Sequence, residues 1–387
     1  MREVYLDNAA TTRNKPVNVK KAMLNFLQNI GCSPGRGGYK CSIEAGKIIL
    51  TCRSLLARLF NVPDPKQIIF TQNVTTSINY ALKGLLRQGD HVITSTLAHN
   101  AVLRPLNRLV NQELITVDYV KSNKQGLLDP QEVEKNINDK TRMLIFTHAS
   151  NVTGTLLPVE ELAAIAEANN LLFVLDTAQT AGIHKVDFTK LNIDVLCFTG
   201  HKTLMGPPGT GGFIIDRDTA KIMKPLIEGG TGSSSNQVTQ PEFLPDKFES
   251  GTLNSPGITG LSAGLKYIFT EGPENIKTHK TKLTALLLSG LTKIKGINIH
   301  GPADADKQTA TVSVTIPEQD PGQISYLLDK KYNIMTRSGL HCAPLAHKTI
   351  NTYPEGTLRL SIGYFNTEDD IHYTLDCLNK ITAANNV

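Results

Sequence analysis

The chain has 387 residues, 40% of them hydrophobic and 19% charged, with a formal net charge of +5, a balance that fills a globular core. The basic excess is small and forms neither a block nor a basic-aromatic stripe, which argues against nucleic-acid binding. No apolar run approaches the roughly 20 residues of a membrane helix. The opening MREVYLDNAATT carries Arg2 and Glu3 where a leader would be apolar, so a cytoplasmic protein is expected.

From about residue 16 to 250, short apolar runs alternate with amphipathic stretches. The runs QIIFTQ (67–72), HVITST (91–96), RMLIFTHAS (142–150), LLFVLDTA (171–178), VLCFTG (195–200) and GGFIID (211–216) read as strands. Helical patterns such as VEELAAIAEANN (159–170) separate several of them, which predicts an α/β fold with a mostly parallel central sheet. GGTGSSSNQ (229–237) is a polar loop without a period. After SPG (255–257) a helix is predicted over 258–270. Then come TATVSVTI (309–316), a helix near 321–331 and TLRLSIG (357–363), the pattern of a smaller α+β region. The expected division is a large domain of 15–257 and a small domain of 1–14 with 258–387.

FTGHKTLMGPPGTGGF (198–213) admits two chemistries. A phosphate-binding P-loop needs GxxxxGK[ST], but Gly206-Pro207-Pro208-Gly209-Thr210-Gly211 runs into Gly212 and Phe213, with neither the lysine nor the hydroxyl. The alternative is Lys202 at the end of VLCFTG, a lysine for carbonyl chemistry that must lose its proton near neutral pH. Asp176 ends the preceding apolar strand, where a carboxylate needs a partner. A lysine and a carboxylate at the ends of consecutive strands are the two groups pyridoxal phosphate (PLP) takes from a protein, one for its aldehyde and one for its ring nitrogen.

The ordered set YLDNAATT, TQNVTTSIN, LAHNAVL, SNVTGT, LDTAQ, FTGHK, FESGTLN, RSGLHCA and TLRLS spans nearly the whole chain. With it the sequence resembles the class V aminotransferase-like family of PLP enzymes, fold type I, and within it the cysteine desulfurases. The resemblance implies that Lys202 holds the cofactor and moves protons at the substrate, while Asp176 pairs with the ring nitrogen and Gln179 with the ring hydroxyl. His99 stacks on the ring and assists acid–base steps. Thr75, Thr199 and His201 hold the phosphate, with Thr76 either helping or capping the helix. Thr252 reaches the phosphate of a neighbouring subunit, which implies a homodimer. Arg359 binds the substrate carboxylate, Asn151 lies near that carboxylate and the ring hydroxyl, and Arg337 shapes the site or the cysteine loop.

In the same resemblance Cys342 takes the sulfur of L-cysteine as a persulfide, releases L-alanine and passes the sulfur to an acceptor protein. His341 beside it, or the cofactor, is the expected promoter of the thiolate. Leu340 departs from the histidine common at that place in the short-loop desulfurases. Selenocysteine lyase, acting on L-selenocysteine, is the nearest alternative. Another class V aminotransferase, epimerase or C–S lyase follows, and a non-catalytic sulfur-relay scaffold is the reading from outside enzymology. The six cysteines show no CxxC spacing, and Cys32, Cys41 and Cys52 fit no zinc motif, so reduced thiols and no metal are expected.

Overall fold

The structure, a computed structural model, describes residues 2–35 and 37–384. Its strands are β1 (Val4–Tyr5), β2 (Ile68–Thr71), β3 (Asp90–Ser95), β4 (Ile115–Val120), β5 (Thr141–Thr147), β6 (Leu172–Asp176) and β7 (Val195–Thr199). They continue with β8 (Gly211–Ile215), β9 (Asn298–His300), β10 (Thr311–Thr315), β11 (Ile334–Met335), β12 (Arg337–Gly339) and β13 (Thr357–Ser361). Among the described residues, one sheet of seven strands runs in the order β2-β8-β7-β6-β5-β3-β4, and a four-stranded sheet in the order β12-β13-β10-β9. In the larger sheet β8 is antiparallel to both its neighbours, and the remaining pairs are parallel. All strands but β8 therefore present their carboxyl ends at one edge, where ligands of such sheets bind.

The side-chain alternation of the strands separates two cores. Phe70, Phe146, Leu175 and Phe198 point to one face, while Ile69, Ile145, Val174 and Cys197 point to the other, as a period of two requires. The helix Ser255–Glu271 belongs to the first core through Ile258, Leu261, Leu265 and Ile268. A third core gathers Val4, Leu6, Leu283, Leu287, Val312, Leu358, Leu360 and Leu378 around the smaller sheet.

The glycines of GPPGTGG serve packing. A Cβ on Gly211 would come within 2.7 Å of the Asn73 backbone, so glycine there lets β8 slide between β2 and β7. This is the physical reason for a glycine-rich run without a phosphate loop.

The expectation of six reduced thiols is corrected: Cys32 and Cys41 form a disulfide, with Cα atoms 5.8 Å apart, inside the range a disulfide spans. The segment after Gly31 folds back onto the start of the helix Lys40–Phe60, and the Ser42 hydroxyl donates to the Ser33 carbonyl at 3.0 Å. Spacing alone does not reveal that reversal. Cys52, Cys197, Cys342 and Cys377 are free, and of these only Cys342 is exposed.

Candidate active site

The turns that leave the carboxyl ends of β2, β3, β5, β6 and β7 carry most of the expected residues. After β2, Asn73 caps the helix Val74–Leu85 by accepting from the Thr76 amide at 3.0 Å. The cap is thus an asparagine and neither threonine, and Thr75 is exposed. After β3, His99 caps the helix Asn100–Asn111, its Nδ1 accepting from the Ala101 amide at 3.0 Å. Burial, reinforced by Lys202 and by Arg337, Arg359 and Arg104, pushes this imidazole down to about 4. His99 is therefore neutral at pH 7, and its remaining proton sits on Nε2.

Asp176 ends β6 and is 3% exposed. Burial raises its carboxyl, while the Ala178 amide, which donates to Oδ1 at 2.9 Å, and the Lys202 amine act the other way. Lys202 follows β7. Its amine is pushed down to about 8, first by desolvation and then by Arg359 and Arg337, with Asp176 and Asp7 opposing. Thr199, at the end of β7, is buried and its hydroxyl has no partner. His201 lies with Nδ1 3.1 Å from the Thr11 hydroxyl, and burial brings it down to about 4.

The smaller sheet supplies the other wall. Arg359 on β13 and Arg337 on β12 are directly paired across the two antiparallel strands. Arg359 is 1% exposed; its Nη1 donates to the Asn151 carbonyl at 3.0 Å and its Nη2 to Asp7 at 2.7 Å. Asn151 in turn donates through Nδ2 to the His341 carbonyl at 2.7 Å, so one residue touches both the arginine and the cysteine loop.

Cys342 and His341 both have positive φ, 59° and 45°, a backbone non-glycine residues seldom adopt and one typical of constrained functional loops. The Cys342 carbonyl accepts from the Asn100 amide at 2.8 Å, pinning the loop to the helix that His99 caps. Arg337 Nη2 lies 3.8 Å from Cys342 Sγ. His341 turns inward instead: it is 3% exposed, donates from Nε2 to the Thr357 carbonyl at 3.2 Å, and burial holds it down at about 2. The expectation that His341 promotes the thiolate is therefore corrected; the cation beside the sulfur is Arg337.

A cleft of about 350 Å³ joins Thr75, His99, Asn100 and Cys342. Thr76 and Thr252 face a different cavity of about 330 Å³, with Thr71, Ser250 and Asn254. Within one chain, then, Thr252 is not brought to Cys342.

Sequence reasoning missed the strap formed by residues 7–12. Thr12 donates to the Lys202 carbonyl at 2.8 Å, Gln179 Nε2 donates to the Ala9 carbonyl at 3.2 Å, and Asp7 holds Arg359. Lys15 also donates to the His201 carbonyl at 2.7 Å, and burial lowers its amine to about 8. The available signal was YLDNAATT itself, a polar run directly after an apolar strand.

The class-V aminotransferase profile matches residues 4–374. A probable cysteine desulfurase of Methanothermobacter thermautotrophicus is 34% identical over 98% of this chain and 94% of its own length. One of Pyrococcus abyssi is 32% identical over 98% and 94%. The apo structure of a cysteine desulfurase from Thermococcus onnurineus superposes with a TM-score of 0.93 at 30% identity, covering 99% of this chain and 95% of that one. With a profile match across the lysine, carboxylate and cysteine elements described above, the chain belongs to the class-V aminotransferase family.

Proposed function

We propose that the chain is a PLP-dependent L-cysteine desulfurase. One observation carries the reading: Cys342, exposed and held at positive φ, shares a cleft with His99, whose imidazole feels the charge of a half-buried lysine of lowered basicity. The residues fit the cofactor. Thr199 keeps a buried, unpartnered hydroxyl for a phosphate oxygen, and Asp176 is a buried carboxylate coupled to Lys202. When bound, PLP withdraws electrons from the substrate's α-carbon and so weakens bonds there and at the β-carbon.

Lys202 and Asp176 hold the cofactor at its two ends, with Gln179 at the ring hydroxyl and neutral His99 against the ring face. Thr75, Thr199 and His201 take the phosphate, with Thr76 secondary. Thr252, remote from the cleft in its own chain, acts on the neighbouring subunit of a homodimer. Arg359, oriented by Asn151, takes the substrate carboxylate. Cys342, with Arg337 against its sulfur, attacks the substrate sulfur; an S–S bond forms as the C–S bond breaks. The carbon skeleton keeps that electron pair, gains a proton from Lys202 and leaves as L-alanine.

The persulfide then passes to a protein acceptor, and the exposure of Cys342 suits that transfer. A cytoplasmic enzyme fits the absence, among the described residues, of any helix long and apolar enough to cross a membrane. The proposed division is 15–257 and 1–14 with 258–387: the third core draws on residues of the second unit alone, while the helix Ser255–Glu271 packs into the first core.

Sulfide and alanine release from L-cysteine with a reductant tests the proposal. Wild type should produce both in equal amounts, and Cys342→Ala should keep the cofactor's colour and lose almost all release. A fully active Cys342→Ala enzyme rejects the persulfide route.

A further inference from the structure

The buried Arg359 has a partner in place before any substrate arrives. Its Nη2 donates to Asp7 Oδ1 at 2.7 Å, and Nη1 to the Asn151 carbonyl at 3.0 Å. Nε is buried and has no partner. In a guanidinium, Nε–H and the adjacent Nη2–H point the same way and form the fork that grips a carboxylate with two parallel bonds. Here one prong of that fork is taken and the other is idle.

Asp7 is suited to give way. Its backbone is fixed: its carbonyl accepts from the Tyr5 hydroxyl and the Ala10 amide, both at 3.1 Å, and it bridges Ser361. Its carboxylate pairs with Arg359, and the side chain is 20% exposed, so it can turn toward water without moving the strap. Arg337 and Lys202 add positive charge around Arg359, while Asp7 is the carboxylate that touches it. An arginine this buried is costly to leave without a counter-charge.

We propose that Asp7 is a place-holder for the substrate carboxylate. It keeps Arg359 paired in the empty site and is displaced by an incoming α-carboxylate that fills both prongs. The inference rests on the reading of Arg359 as the carboxylate-binding residue. Asp7 acts through Arg359 and is a positioning residue. Its consequence for specificity is a threshold: anions that offer a single oxygen do not outcompete Asp7, whereas a bidentate carboxylate does.

The test uses the cofactor-loaded protein and propionate, a plain carboxylate that needs no turnover, titrated by calorimetry at fixed ionic strength. Asp7→Asn keeps the shape and removes the charge. Propionate should bind it at least about fivefold more tightly than wild type, by analogy with the usual size of coupling between sites, and Arg359→Met should abolish binding. Unchanged or weaker binding to Asp7→Asn, with binding still lost in Arg359→Met, overturns the place-holder and leaves the reading of Arg359 intact. Undiminished binding to Arg359→Met overturns both. Should Asp7→Asn not fold, a crystal structure of the wild type with propionate decides: Asp7 must leave Arg359 when propionate sits on the fork. An Asp7–Arg359 contact that persists beside bound propionate refutes the idea.

Discussion

Lys202 shows how its setting prepares a residue for its chemistry. An ordinary lysine is almost wholly protonated at pH 8, but desolvation and two arginines bring this amine to about 8, against the pull of Asp176 and Asp7. A raised pH then frees the nucleophilic amine in the folded protein well before it would in solution. The rate at which the apoprotein captures PLP, followed by absorbance, should therefore climb to about pH 8 and level off above it. A climb continuing toward pH 10 would mean the amine is not desolvated as described. At the cysteine, Arg337 is the near cation, and removing it should slow sulfur attack more than it weakens substrate binding. Arg337→Met should lower kcat by about tenfold or more, an effect of the size of one lost charge-assisted contact, with KM changed less.

At the scale of elements, the loop that carries Thr252 is anchored by Glu249. This carboxylate pairs with Arg53 of the helix Lys40–Phe60 at 2.5 Å and accepts from the Phe70 amide of β2 at 2.6 Å, with both ionic side chains almost fully enclosed. Breaking a buried pair leaves one charge stranded, which costs about 3–5 kcal/mol. Glu249→Ala should lose about that much stability in urea unfolding, and a loss below about 1 kcal/mol would show the pair to be dispensable.

The strands of the larger sheet were legible because both their faces are buried, giving runs such as LLFVLD and VLCFT. β4 was not read, since ITVDYV lies at the sheet edge, with Thr116 exposed and Asp118 half-buried, and shows no such run. The helix Pro273–Leu291 was likewise passed over; its buried leucines alternate with lysines and threonines. Asp7, Thr12 and Lys15 escaped notice because their contacts are to residues more than 180 positions away, which no local pattern encodes. The inward turn of His341 was hidden for a similar reason: its partner Thr357 belongs to another strand.

Across the molecule, burial holds seven imidazoles below their ordinary range, His300 among them. Burial lowers His99, His148, His201 and His347 to about 4, His184 to about 3 and His341 to about 2. The unfolded chain takes up protons on these residues below about 6.5 while the folded one refuses them, so stability is lost as pH falls from about 6.5 toward 4. The carboxyls of Asp176, Asp194 and Glu249 are raised by burial and push the other way, but they are three against seven. Thermal unfolding should therefore occur several degrees lower at pH 5 than at pH 7. A flat profile would show that the imidazoles are not shielded as described. Two cores lie on either face of the larger sheet and a third around the smaller sheet, while the Asn100 amide ties the cysteine loop to the large-sheet side through the Cys342 carbonyl.

The central claim is that Cys342 receives the sulfur, and peptide mass spectrometry after a single turnover tests it most directly. The loaded enzyme is mixed with one equivalent of L-cysteine without reductant, alkylated and digested. The account requires one added sulfur atom on the peptide holding Cys342, with an equal amount of alanine formed, and no such gain in Cys342→Ala. Alanine formed in full with no sulfur on that peptide would contradict it.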